Sequence, residues 1–217
     1  SKNSKITMNT LLQAAWAFLL GRYSQENDIV FGATVSGRPP NLPGVEEMLG
    51  LFINTLPIRI AIDPNERILT WLQTIQMQQA EGRQFEYSPL VEIHKWSDVP
   101  NSAPLFESII VFENYPAGGE LEQHEGALEL TDVRSFERTN YPITLVGAPG
   151  KQFAVELAYE TDKFDDETIA RMLDHLHNIL VSLVDNADSS LCAIEMLSSE
   201  ERLQVVDTWN QTTAPFP

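Results

Sequence analysis

The sequence predicts an α/β fold, a mixed sheet flanked by helices. Three observations lead there. A strongly apolar helix near the N-terminus and a striped amphipathic helix near the C-terminus bracket the chain. Short runs rich in β-formers lie between them. Regular strand–helix alternation and a Gly-x-Gly-x-x-Gly loop are both missing from the sequence, which argues against a dinucleotide-binding fold. Element order alone also fits an α+β layering of the same pieces.

Leu11, Leu12, Ala15, Phe18, Leu19 and Tyr23 keep a helical period over residues 9–23, with Thr7 or Asn9 as cap. Trp16 and Leu20 widen the apolar arc, so burial on more than one side is expected. Residues 28–35 read as a strand, broken by Ser36-Gly37-Arg38-Pro39-Pro40, and 44–49 as a short helix. Residues 49–62 form an apolar, strand-like run with Asn54 and Thr55 in its middle. Asp63-Pro64-Asn65 is a turn, followed by an amphipathic helix from Ile68 to about Arg83. Ser88 as N-cap and Pro89 at the first helical position predict a second short helix.

Residues 106–112 read as a strand and 114–127 as an exposed acidic loop that contains His124. Strands follow near 128–136, 142–147 and 152–159, the last two joined as a hairpin through Pro149-Gly150-Lys151. Asp165 or Asp166 caps a long helix to about Val184. Its apolar stripe is Ile169, Met172, Leu173, Leu176, Ile179, Leu180 and Leu183. A last short helix starts at Ser198, where Ser199-x-x-Arg202 does not make a capping box.

The 217 residues fit one large domain or two small ones. A net charge of −17 disfavours nucleic acid and anionic membranes as partners. The single cysteine, Cys192, excludes an internal disulfide framework and fits a reducing compartment. No apolar run reaches the roughly 18 residues a membrane span needs, and the first residues lack a signal-peptide core. Cytoplasmic residence is therefore the expectation. His175 and His177 are two apart on a helix, so their rings diverge and cannot share a metal. No metal site is expected. His94 is expected at the surface and Trp96 at a core edge.

Gly50-Leu51-Phe52-Ile53-Asn54-Thr55-Leu56-Pro57-Ile58-Arg59 resembles a signature of the condensation domains of non-ribosomal peptide synthetases. Further resemblances follow in the family's order. They are Gly32 to Pro39, Pro104-Leu105-Phe106-Glu107-Ser108, Val111-Phe112-Glu113-Asn114-Tyr115, and Tyr159-Glu160-Thr161-Asp162-Lys163-Phe164-Asp165. Two motifs depart from the pattern: Arg83-Gln84-Phe85-Glu86 stands before Tyr87-Ser88-Pro89, and Ser102-Ala103 before Pro104.

The resemblance implies a lobe like that of chloramphenicol acetyltransferase, half of a V-shaped pair with a tunnel between. The family's His-His-x-x-x-Asp-Gly motif belongs to the N-terminal lobe. The histidines here are His94, His124, His175 and His177, none adjacent, so the chain looks like the C-terminal lobe alone. Residues 1–209 would be the lobe and 210–217 the start of a linker toward an adenylation domain. The implied activity of the whole domain is amide formation between two thioesters. Both are carried on phosphopantetheine arms of upstream and downstream carrier proteins, with no cofactor bound directly. The implied partners also include the missing N-terminal lobe. Alternatives are an epimerization or other acyltransferase relative, and a non-catalytic docking module that recruits a tailoring enzyme.

For the site, the resemblance points to Asn54 and Thr55 facing the tunnel, with Ser36 and Arg38 nearby. An unsatisfied buried polar group costs roughly 1–3 kcal/mol, so Asn54 must meet substrate, water or protein. The plain structural alternative is a hydrogen-bonded pair shaping a sheet edge. An amide cannot act as a general base, so Asn54 would position rather than catalyse, with partner groups outside these residues. No catalytic residue is expected in the chain. Arg38 is expected to salt-bridge an acid, or else to fix the Asn54 strand or contact a carrier-bound arm. Residues 114–140 are the candidate segment for crossing to the other lobe. An isolated lobe is expected to expose apolar surface and self-associate.

Overall fold

The computed structural model describes residues 5–38, 42–113, 139–150 and 152–212. The expected acidic loop with His124, the strand near 128–136, most of the candidate crossing segment, Pro39-Pro40, Lys151 and the end of the linker lie outside these residues. The chain divides into two compact units.

One unit comprises residues 1–29, 60–77 and 166–217 and is mainly helical. Helix α1 (Met8–Ser24) starts where the Thr7 side chain accepts from the Thr10 amide at 3.1 Å. It ends at Gln25 in the left-handed region, φ 60°. Every residue from Thr10 to Leu19 is buried, as expected for a helix apolar on all sides. Helix α4 (Asp166–Asp185) packs along α1 and buries Ile169, Met172, Leu176, Ile179 and Leu183. Asp166 and Glu167 in its first turn match the positive end of the helix dipole. Residues 64–69 and 187–192 are stitched by backbone bonds such as Ile68 N–H to Ser189 O at 2.9 Å and Leu191 N–H to Glu66 O at 2.9 Å. Trp71 is buried and donates its indole N–H to Ala61 O at 2.8 Å.

Helix α5 (Ser199–Leu203) corrects an expectation. A capping box is present, one residue earlier than the position tested in the sequence. Ser198 Oγ accepts from the Glu201 amide at 3.2 Å and Glu201 Oε2 accepts from the Ser198 amide at 2.9 Å. A π-type turn, Gln204–Thr208, follows. Asn210 donates to the carbonyls of Val205 and Val206 at 2.9 and 2.8 Å.

The other unit comprises residues 30–59 and 78–165 and holds the sheet. The strands are β1 (Asp28–Val35), β2 (Asn54–Ala61), β3 (Ser108–Phe112), β4 (Ile143–Ala148) and β5 (Ala154–Tyr159), in the order β2-β1-β3-β4-β5. β1, β3 and β4 run parallel, and β5 returns antiparallel to β4, with Leu145 opposite Leu157. The expected mixed sheet and the expected last hairpin are thus both present. Phe31 and Ala33 of β1, Ile109 and Ile110 of β3, Leu145 of β4 and Leu157 of β5 are buried. Gly32 lies opposite Ile109, and a Cβ there would collide with the Phe106 ring and sit 2.7 Å from Ile109 Cγ2. Helix α3 (Leu90–Trp96) belongs to this unit, whereas most of α2 (Ile68–Gly82) belongs to the helical one.

Four local expectations change. The strand-like run begins its strand only at Asn54. Residues 49–53 lie outside it, with Leu49 fully exposed and Leu51 91% exposed. The short helix at 44–49 is a single 3₁₀ turn, Val45–Glu47. The cap of α3 is Pro89 rather than Ser88. Trp96 is 72% exposed rather than at a core edge.

Candidate functional site

Asn54 is the first residue of β2, and it is half-buried rather than buried in mid-strand. Its side chain is fully engaged by the sheet unit itself. The amide nitrogen donates to Glu86 O and to Ser88 O, both at 2.8 Å. The amide oxygen accepts from the Thr55 backbone N–H at 2.9 Å. Both donor hydrogens are used, and one lone pair of the oxygen remains. The partners expected outside the chain therefore lie within it, on either side of Tyr87. Tyr87 lies within a tight stretch in which the amides of Glu86 and Ser88 donate to Arg83 O at 3.3 Å and Phe85 O at 2.9 Å.

Arg38 organises the segment before Asn54. Its guanidinium donates to Val45 O, and to Met48 O at 3.2 Å. It also lies over the Phe52 ring, 4.3 Å from the centroid. Among the described residues its partners are carbonyls and a ring, which corrects the expected salt bridge to an acid. Gly37, at φ 61°, completes this junction: a Cβ there would run into the Phe52 carbonyl oxygen. Arg38 and Gly37 thus hold the chain from Val45 to Phe52, and Asn54 follows two residues later. Ser36 is exposed beside this junction and makes no hydrogen bond among the described residues.

One feature of the same unit was not singled out in the sequence, and another departs from its expected place. A cleft of about 560 Å³ is lined by Thr139, Tyr141, Thr144, Tyr159, Glu160 and Asp162. Thr139 and Thr144 share a hydroxyl–hydroxyl bond of 2.7 Å there. Tyr141 stacks on Phe106 at 5.4 Å, and burial pushes its phenol pKa up. The signal was Tyr159-x-Thr161-Asp162, noted for its resemblance and not for a cavity. His94, expected at the surface, is half-buried instead, and its Nε2 is enclosed without a hydrogen-bond partner among the described residues.

The remaining candidates lie in the helical unit. His175 is 4% exposed, between Tyr23 Oη on Nδ1 at 2.8 Å and Glu201 Oε1 on Nε2 at 3.0 Å. The Glu201 carboxylate can only accept, so the Nε2 hydrogen faces it, and Nδ1 accepts from the Tyr23 hydroxyl, whose pKa burial pushes up. The row links α1, α4 and α5. His177 is exposed, in line with the diverging rings read from the sequence. Cys192 is exposed, 3.0 Å from Ser190 Oγ.

This arrangement can hold a backbone in place and present hydroxyl and aromatic surface. Among the described residues of the Asn54 region, no nucleophile is paired with a base. Against known proteins, the Condensation domain family matches residues 1–206. A linear gramicidin synthase protein from Brevibacillus parabrevis is 50% identical over 217 residues, all of this chain and 4% of that protein. A four-domain nonribosomal peptide synthetase, solved bound to AMP and glycine, superposes with a TM-score of 0.75 at 22% identity over 93% of this chain and 16% of that one. The starter condensation domain of rhizomide synthetase superposes with a TM-score of 0.69 at 18% identity, over 87% of this chain and 43% of that one.

Proposed function

The chain belongs to the condensation-domain family, and on that premise we propose that it is the C-terminal half of a condensation domain in a non-ribosomal peptide synthetase. Residues 1–209 form the lobe, and residues from 210 begin a linker toward an adenylation domain. The single observation that carries this reading is the 50% identity to a linear gramicidin synthase protein along the whole chain. The coverage of 43% of a starter condensation domain supports a half rather than a whole.

In the complete domain the amine of an acceptor aminoacyl thioester attacks the carbonyl carbon of a donor acyl or peptidyl thioester. The C–N bond forms and the C–S bond breaks. The departing phosphopantetheine sulfur leaves as a thiol, and the amine gives up one proton. Upstream and downstream carrier proteins present the two arms, in the cytosol, and placement supplies much of the rate. The described residues around Asn54 fit a wall that positions substrate. The groups that handle the proton come from the other half.

The test compares two samples given both loaded carriers. The 217-residue chain alone is expected to give no amide product above background by mass spectrometry. The parent synthetase containing the chain is expected to give it. Amide from the isolated chain would overturn the half-domain reading, and none from the parent would overturn the activity.

A further inference from the structure

We propose, on the reading just given, that Asn54 is a positioning residue and that Tyr87 is the specificity-determining side chain through which it acts. Asn54 commits both donor hydrogens to the carbonyls of Glu86 and Ser88, so it has none to offer a substrate amide. The Glu86 carbonyl belongs to the peptide plane before Tyr87, and the Ser88 carbonyl to the plane one residue beyond it. The plane between Tyr87 and Ser88 is held by the Ser88 amide, which donates to Phe85 O, and the Glu86 amide donates to Arg83 O. The backbone at Tyr87 is thus tied from two directions.

The side chains there are nonetheless bare. Tyr87 is 67% exposed, and Phe85 and Val91 beside it are exposed too. On the other arm of the clamp, Leu51 and Ile53 are exposed as well. Asn54 therefore joins two segments that both present apolar side chains from a fixed backbone. A rigid backbone with uncovered aromatic and aliphatic groups is the composition of a ligand wall. Tyr87 adds a hydroxyl to its ring, so it suits an acyl substrate whose side chain is apolar with one hydrogen-bonding group.

Asn54→Asp isolates the clamp, because the carboxylate still accepts from Thr55 N–H but sets negative charge against two carbonyls. Chymotrypsin reads the backbone directly, since Phe85 and Tyr87 are its cleavage sites. In the 217-residue chain, Asn54→Asp is expected to speed nicking between 85 and 88 by roughly tenfold while the urea midpoint moves little, as a local opening would. Unchanged nicking would overturn the clamp. In the parent synthetase, Tyr87→Ala is expected to change the ratio of kcat/KM between two aminoacyl thioesters differing in side chain by about tenfold. Asn54→Asp should shift the same ratio, and the double variant should go no further than Tyr87→Ala. An unchanged ratio in Tyr87→Ala, or fully additive effects, would overturn the proposal. A wild-type parent that forms no amide would instead remove the function on which it rests, whatever the nicking result.

Discussion

The junction at Gly37 and Arg38 depends on single atoms. Gly37 needs both a positive φ and the space that a Cβ would take from the Phe52 carbonyl. Gly44 also has a positive φ, 76°, but nothing lies within 4 Å of its would-be Cβ. The pair separates conformation from collision. Gly44→Ala should cost about 1 kcal/mol, the penalty for a left-handed non-glycine residue. Gly37→Ala should cost more, on the order of 2–4 kcal/mol, because backbone must also move. Urea unfolding of both variants measures this, and equal costs would show that the Phe52 contact is relieved without strain. Arg38→Lys keeps the charge but loses the fork that reaches two carbonyls and the planar face on Phe52. It should lower the urea midpoint despite the conserved charge. The residues of this junction were visible in the sequence. Their partners were not, because Val45, Met48 and Phe52 meet Arg38 only once the loop has closed.

Among the elements, α5 is short and rests on its cap. Its five residues, Ser199–Leu203, are too few to be stable through propensity alone. The Ser198–Glu201 box and the Glu201–His175 contact hold it. Ser198→Ala should therefore cost about 1 kcal/mol. The Ser198 backbone N–H, followed by the Ser198 hydroxyl and His175, holds the Glu201 carboxyl below its ordinary value of 4.5. Its folded pKa lies under its unfolded one, so the stabilisation is complete above the unfolded value. It is lost as pH falls through the folded value. Amide shifts of Ser198 and Glu201 followed by NMR on acidification from near neutrality should move together only below the ordinary carboxylate range, and Glu201→Gln should abolish that transition. Movement centred near neutrality would assign it to another group. The box was missed in the sequence by one residue. Ser198 and Ser199 are adjacent hydroxyls with acids after both, and only the backbone geometry decides which one caps.

For the whole molecule, two forces oppose each other. A net charge of −17 makes copies repel, while Leu49, Leu51, Phe85, Tyr87, Val91 and Trp96 stand exposed on the sheet unit. Salt screens the first and leaves the second, with a Debye length of about 10 Å at 0.1 M. Self-association is thus expected to grow with ionic strength, read as an increase in light-scattering mass between low and moderate salt. A constant monomer mass across that range would count against the apolar surface as a contact face. Periodicity and β-branched runs made much of the scaffold legible in advance: α1, β1, α4 and the β4–β5 hairpin. These signals are local, and burial on one face or all faces is written into the order of residues. The motif Phe52-x-Asn54-Thr55 likewise drew attention to Asn54 without the fold. What Asn54 holds was decided only in three dimensions, because Glu86 and Ser88 lie far along the chain and offer only backbone carbonyls, which every sequence has. The sequence by itself carried most of the elements and the family resemblance, and it singled out Asn54 as a polar group in need of a partner. The tertiary structure decided that its amide closes on the bend around Tyr87, since a hydrogen bond to main chain leaves no trace in side-chain identity.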